Sequence, residues 1–218
     1  MGAFDFGVIA RALPLLWEGM QITLLLTALG IVGGIALGVL LAMMRRSAIA
    51  PLRWFAAFYV DLLRSLPLVL LIFWFYFLVP LAVGHPVGGF SSAVIGFILF
   101  EGAYFCEIIR SGIEGVRRGQ VMAGLASGFT QAQCMRFIVL PQAFRAMLPV
   151  MLMQSINVFK STSLVYVIGL RDFLTAADLI GGRDNRLMEM YVFVAVVFFV
   201  ICWTASQAVS LLQRRIAP

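Results

Sequence analysis

Between Met20 and Met44 lie 25 consecutive residues without a charge, and the run closes on Arg45 and Arg46. Wound as a helix at 1.5 Å per residue, that stretch is about 38 Å long, enough to cross the roughly 30 Å hydrocarbon layer of a bilayer. No water-soluble fold has a place for it. The rest of the chain has the same character: of 218 residues, 62% are hydrophobic and 12% charged, and the mean hydropathy is +1.02. Soluble domains carry about a quarter charged residues. Disorder, collagen-like repeats and coiled coils need polar or strictly periodic sequence, which is absent. A membrane β-barrel needs strands that alternate apolar with polar, whereas Val69 to Val79 is apolar on every face.

The fold class expected is therefore all-α and integral to the membrane, with five transmembrane helices in a single domain over 1–218. The spans fall at about 20–44, 66–83, 90–109, 146–165 and 190–212. The segment before the first span sets Asp5 and Glu18 against Arg11 and lacks a basic start, which argues against a cleaved signal peptide. Residues Trp54 to Arg64 read as an interfacial or helical lead-in to the second span, whose early Pro67 is tolerated there.

Fifteen arginines and one lysine give the net charge of +6. In a soluble protein such a balance would suggest nucleic acid. Here it reports topology, because basic residues beside spans stay on the cytoplasmic side. Arg45, Arg46, Arg53, Arg64, Arg110, Arg117, Arg118, Arg136, Arg145, Arg214 and Arg215 collect on one side; Arg11, Arg171, Arg183 and Arg186 collect on the other. The expectation is an N-terminus outside, a C-terminus inside, and a cytoplasmic loop at 110–145.

That loop has internal order. Gly119 to Ser127 suits a short helix, Gly128 the left-handed position that ends one, and Thr130 with Gln133 a capping box that opens a second short helix. Pro141 stops that helix or starts the next. The outer stretch Gly169 to Glu189, with Asp172, Asp178, Asp184 and Glu189 against Arg171, Arg183 and Arg186, reads as a solvated loop that could contact a partner. Arg183, Asp184 and Asn185 after a glycine pair signal a turn.

The spacing Ala123, Gly124, three residues, Gly128, nine residues, then Ile138, Val139, Leu140, Pro141 resembles the cytoplasmic "EAA" loop of inner-membrane permeases of binding-protein-dependent ABC importers. The runs GAYFCEIIRSGIEGVRRGQ and LPQAFRAMLP are similar to the polar amino-acid branch of that family. Within it, FYVDLLRSLPLVLLIFWFYFLVP and STSLVYVIGLRDF are most similar to permeases for glutamate and aspartate.

The resemblance implies a non-catalytic subunit of an ATP-driven importer. Its implied partners are an ABC ATPase dimer, a second permease subunit (a different chain, or a second copy of this one), a periplasmic substrate-binding protein, the amino acid and membrane lipid. The implied ATPase-coupling residues are Gln120, Met122, Ala123, Gly124, Gly128, Arg136, Ile138, Leu140 and Pro141. Two positions depart from the family pattern: Met122 stands where Glu is usual, and Gly124 where the second Ala is. Glycine inside a helix costs about 1 kcal/mol relative to alanine, so a looser or asymmetric docking is expected.

Ionisable groups inside a membrane mark a pathway or are paired. Glu107, Arg110 and Glu114 sit at spacings of three and four and can form a ladder on one helix. Glu101 points elsewhere and suits a substrate amine or an inter-subunit contact. Lys160, with Gln154 and Asn157 before it, is placed to neutralise a substrate carboxylate, to snorkel outward or to bind Glu101. Arg64 has Asp61 three residues earlier as a partner at the interface.

Cys106, Cys134 and Cys202 are too scattered for a disulfide framework or metal site, His85 has no companion, and no cofactor is implied. Lys160 follows Phe159 rather than glycine, so there is no phosphate-binding loop and ATP hydrolysis belongs to another chain. Three other classes fit the sequence less well. A gradient-driven carrier usually repeats its spans, a DNA-binding helix-turn-helix needs longer and untethered helices, and an enzyme needs a clustered nucleophile and base. Glutamine and other polar amino acids remain alternative substrates.

Overall fold

The computed structural model describes residues 6–216, and every regular element among them is helical. Asp5 lies outside the described residues. Helix α1, Phe6–Arg45, is 40 residues long, or about 60 Å, twice the thickness of the hydrocarbon layer. It begins well before the first uncharged residue of the span. The extension exists because Val8, Ala12, Leu16 and Met20 recur every fourth residue and are all buried, forming one apolar stripe on a segment whose other residues are mostly exposed.

Helix α2, Ala50–Ser65, ends at Leu66 and Pro67, and α3, Leu68–Val83, leaves it at an angle of 104°. The expected lead-in is thus a separate helix. Within α3 the segment Trp74–Leu78 is a wide turn in which the Val79 N–H reaches back to the Trp74 carbonyl. Pro80, next in line, has no N–H to offer the Phe75 carbonyl, and the Ser92 hydroxyl donates to that oxygen instead at 3.2 Å. Gly84 then adopts the left-handed conformation that ends the helix.

Helix α4, Gly89–Glu114, is the hub. It packs along α1 through a seam of small residues. A Cβ added at Gly34 would stand 2.8 Å from the Glu101 Cβ, and one at Gly38 would stand 2.7 Å from the Phe105 Cβ and 2.9 Å from the Cys106 backbone nitrogen. Those distances leave no room for any side chain.

Helix α5, Arg118–Ala126, is followed by the Gly128 turn and then α6, Gln131–Ile168. The expected second short helix does not lie separately under the membrane. It runs on through a second wide turn, Met135–Val139, closed by the Leu140 N–H on the Met135 carbonyl, and Pro141 follows as Pro80 does in α3. Pro141 thus stands in the first turn of the regular α-helical part, Leu140–Ser161, of a helix it does not stop. Toward the end of α6, Thr162–Ile168 tightens to a 3₁₀ turn that ends at left-handed Gly169.

The outer stretch is not a solvated loop. It holds helix α7, Phe173–Arg183, with Phe173, Ala176, Ala177 and Ile180 buried against α1 and against α8, Leu187–Ile216. The turn signal after it is correct, with left-handed Asn185 at its end. Among the described residues four helices are long and apolar enough to cross a membrane, and five spans result when the bent pair α2 and α3 counts as one.

Candidate functional site

The polar features fall at three depths. On the expected cytoplasmic side, α5 ends where Gly128 takes φ 87°. The Phe129 N–H then returns to the Gly124 carbonyl at 3.1 Å, and the Gly128 N–H to Leu125 at 3.0 Å. Thr130 Oγ1 accepts the Gln133 N–H at 3.2 Å while Gln133 Oε1 accepts the Thr130 N–H at 2.8 Å, so both halves of the expected capping box are made.

Gly124 has a packing reason. It is buried, and a Cβ there would fall 2.5 Å from Ile138 Cδ1 and 2.9 Å from Cys134 Sγ. The place of the missing methyl is taken by two side chains of α6, which lock α5 onto it. Met122, at 66% exposure, faces outward with Phe129, Phe137 and Leu140. Gln120, Ala123, Arg136 and Pro141 are also exposed, and Ile138 is half-buried. The Arg136 guanidinium lies 5.5 Å from the Phe137 ring centre. Met122 also lines a hollow of about 840 Å³ beside this surface, together with Arg46, Glu114, Arg118 and Met135.

At the expected cytoplasmic ends of the spans, Glu107 accepts from Arg45 Nη1 at 2.9 Å and from Arg110, and lies 3.9 Å from Arg64 Nη1. Arg110 also reaches Glu114, which completes the expected ladder. The sequence reading missed that Arg45 and Arg64 join it. Arg64 does not pair with Asp61; it stands over the Tyr104 ring at 5.5 Å and turns toward Glu107. One carboxylate thus ties α1, α2 and α4 together.

Midway along α4, Glu101 is 1% exposed and accepts a hydrogen bond from Gln154 Nε2 of α6 at 2.8 Å. Two of the four candidate pathway residues are therefore brought together. Asn157 and Lys160 continue the α6 line at steps of three and are exposed, so they point away from the helix bundle. Lys160 makes no ion pair with Glu101, which has Gln154 as its partner.

On the expected outer side Asp172, fully buried, caps α7 by accepting from the Leu174 and Thr175 N–H groups at 3.3 and 2.9 Å and from the Thr175 hydroxyl. Burial pushes its carboxyl above the ordinary aspartate value, and those hydrogen bonds pull it back down. The next N–H, of Phe173, donates to buried Thr23 Oγ1 of α1 at 3.1 Å. Gly19 of α1 admits this approach, since a Cβ there would stand 2.7 Å from the Asp172 carbonyl oxygen. An aspartate three residues before Thr175 and an apolar spacing of three and four could have announced this helix in the sequence. No cluster of metal-ligating side chains occurs among the described residues, and the three cysteines are free and buried.

Residues 34–218 match the family model described as the inner membrane component of binding-protein-dependent transport systems. The chain is 47% identical over 224 aligned residues to the glutamate/aspartate import permease protein GltK of Escherichia coli O6:H1, with both chains covered completely. It is 35% identical to the probable glutamine ABC transporter permease protein GlnM of Bacillus subtilis, over 91% of this chain and 92% of that one. Among solved structures, one described as an amino acid ABC transporter crystallised with histidines superposes with a TM-score of 0.93 at 33% identity, covering 99% of this chain and 100% of the other. An inward-facing MetNI methionine ABC transporter shares the fold, at a TM-score of 0.65 and 20% identity.

Proposed function

The chain belongs to the family of binding-protein-dependent inner membrane transport components, and on that premise we propose that it imports glutamate and aspartate as one permease subunit of an ATP-driven transporter. It is a membrane permease, and its family implies an ATPase and a substrate-binding protein as partners. The observation that carries the substrate reading is the 47% identity, over both complete chains, to a glutamate/aspartate permease. Glutamine is the competing substrate, since a probable glutamine permease matches over nine-tenths of the chain at 35%.

In this reading there are five spans, with the N-terminus outside and the C-terminus inside, supported by eleven arginines on one side against four on the other. The surface from Gln120 to Pro141 docks on the ATPase. Met122, Phe137 and Leu140 seat in its groove, Arg136 flanks them, and Ala123, Gly124, Gly128 and Ile138 shape the helix and turn that carry the load. Closure of the ATPase on ATP moves α5, which Gly124 locks to α6, and α6 carries the motion into the span as a two-state element.

Lys160 and Asn157, exposed on α6 at its outer end, face a second permease across the pathway, and Lys160 attracts the carboxylates of an acidic amino acid. Gln154 and Glu101 hold that helix at a fixed rotation. The second permease is a different chain in this reading.

The test is uptake by the transporter purified whole through a tag on this chain and reconstituted with its binding protein. ATP-dependent accumulation of labelled glutamate, competed by aspartate far better than by glutamine, is the expected result; the reverse order of competition would reassign the substrate. Lys160→Ala should lower the rate of uptake tenfold or more while ATPase binding is kept, since one such charge contact is worth about 1.5–3 kcal/mol. Unchanged rate and affinity would remove Lys160 from the pathway.

A further inference from the structure

Helix α2 has three stripes where a buried helix has one and a surface helix two. Wound at 3.6 residues per turn, Ala56, Val60 and Leu63 fall on one side and are buried against α1 and α4, with the Tyr59 hydroxyl donating to the Leu99 carbonyl at 2.9 Å. Trp54, Phe55, Phe58 and Leu62 fall on another side and are exposed, at 73%, 57%, 66% and 43%. Arg53, Asp61 and Arg64 occupy the narrow sector between them. That sector lies opposite the midpoint of the two apolar ones. A helix embedded upright has no use for such an arrangement. A helix lying flat at the membrane surface needs it: polar stripe to water, one apolar flank to the protein, the other to acyl chains.

The 104° angle between α2 and α3 turns α2 across the line of α3 rather than along it. Its aromatic flank begins with Trp54, the residue type that concentrates at headgroup level. The charge around its start is unbalanced. Arg64 is engaged by Glu107, but Arg46 in the preceding turn and Arg53 in the first turn of α2 are exposed and form no ion pair among the described residues. The leaflet facing the cytoplasm is the anionic one and attracts such residues.

We infer that α2 lies nearly flat in the inner leaflet just beneath the headgroups, deep enough for Tyr59 to reach Leu99, with Trp54 at the boundary between headgroups and acyl chains, Phe55 and Phe58 in the acyl region, and Arg46 and Arg53 holding the phosphate of an anionic lipid. The occupant of this face is lipid, not the second permease. The inference rests on the proposed orientation, in which the turn between α1 and α2 is cytoplasmic.

The test uses the whole transporter in bilayers containing phosphatidylcholine or phosphatidylglycerol brominated on the acyl chains. The fluorescence owed to Trp54 is isolated by subtracting a Trp54→Phe variant. Brominated lipid should quench that component, and at equal mole fraction the anionic lipid should quench it roughly twofold more. The double variant R46Q/R53Q should quench equally with both lipids. Absence of quenching by either lipid overturns the inference and assigns the face to a protein neighbour. Quenching without preference in the unsubstituted chain overturns the headgroup site. Ser47→Cys separates these failures from failure of the topology: labelling only from the inside keeps the orientation, and labelling from the outside removes the orientation and this inference together.

Discussion

Glu101 and Glu107 stand six residues apart on the same helix and are held by opposite means. Glu101, in the middle of the span, is packed against the bare backbone of Gly34 and meets a single neutral amide, that of Gln154. Glu107, toward the end of the helix, has arginines from α1, α2 and its own helix around it, with its side chain 23% exposed. Depth accounts for the contrast. Near the headgroups, water and long side chains can assemble counter-charges cheaply, whereas in the middle of the bilayer every added ionised partner is expensive. The deep acid is fixed by shape and one hydrogen bond; the shallow one is fixed by charge.

The largest effect that would break this contrast comes from the shallow site. Glu107→Ala leaves three guanidiniums facing one another, and a loss of about 3 kcal/mol is expected, seen as a lower thermal midpoint in detergent and partly relieved by high salt. Salt-independent loss would mean that Glu107 works by packing. Next comes Gly34→Val, which drives a side chain into Glu101; overpacking of this kind costs about 1–3 kcal/mol, and the melting loss should not respond to salt.

Glu101→Leu should cost about 1–2 kcal/mol by leaving the Gln154 amide without its acceptor, while Glu101→Gln keeps a hydrogen bond and should stay close to the parent in both stability and uptake. Uptake lost in Glu101→Gln at full stability would show that the charge itself matters at depth. The smallest expected effect is that of Arg64→Gln, under about 1 kcal/mol, because its approach to Glu107 is 3.9 Å and its side chain is 40% exposed.

Much of the architecture was legible because hydrophobic runs of membrane length have few alternatives, and the Gly128 turn with its Thr130 and Gln133 cap was legible because capping is local. What escaped was tertiary. The Glu101 to Gln154 bond joins residues 53 apart, and nothing in either neighbourhood announces it. Arg64 was paired with Asp61 because spacing on one helix is visible, whereas the approach of α2 to Glu107 is not. Helix α7 was read as loop because its flanks are charged, although Phe173, Ala176, Ala177 and Ile180 carried the spacing of a packed helix. Both wide turns had a sequence signal in hindsight, a proline just past each of them, at Pro80 and Pro141.

The loop between α5 and α6 is held by bonds and contacts of its own: its glycine is left-handed, its cap is bonded, and the space beside Gly124 is filled by Ile138 and Cys134. A segment that must fold as it binds spends part of its binding free energy on losing conformational freedom. This one has no such debt. If this loop docks on the ATPase as proposed, the interaction is available to do mechanical work on the spans, and the contact can be released and remade in every cycle without the element melting between strokes.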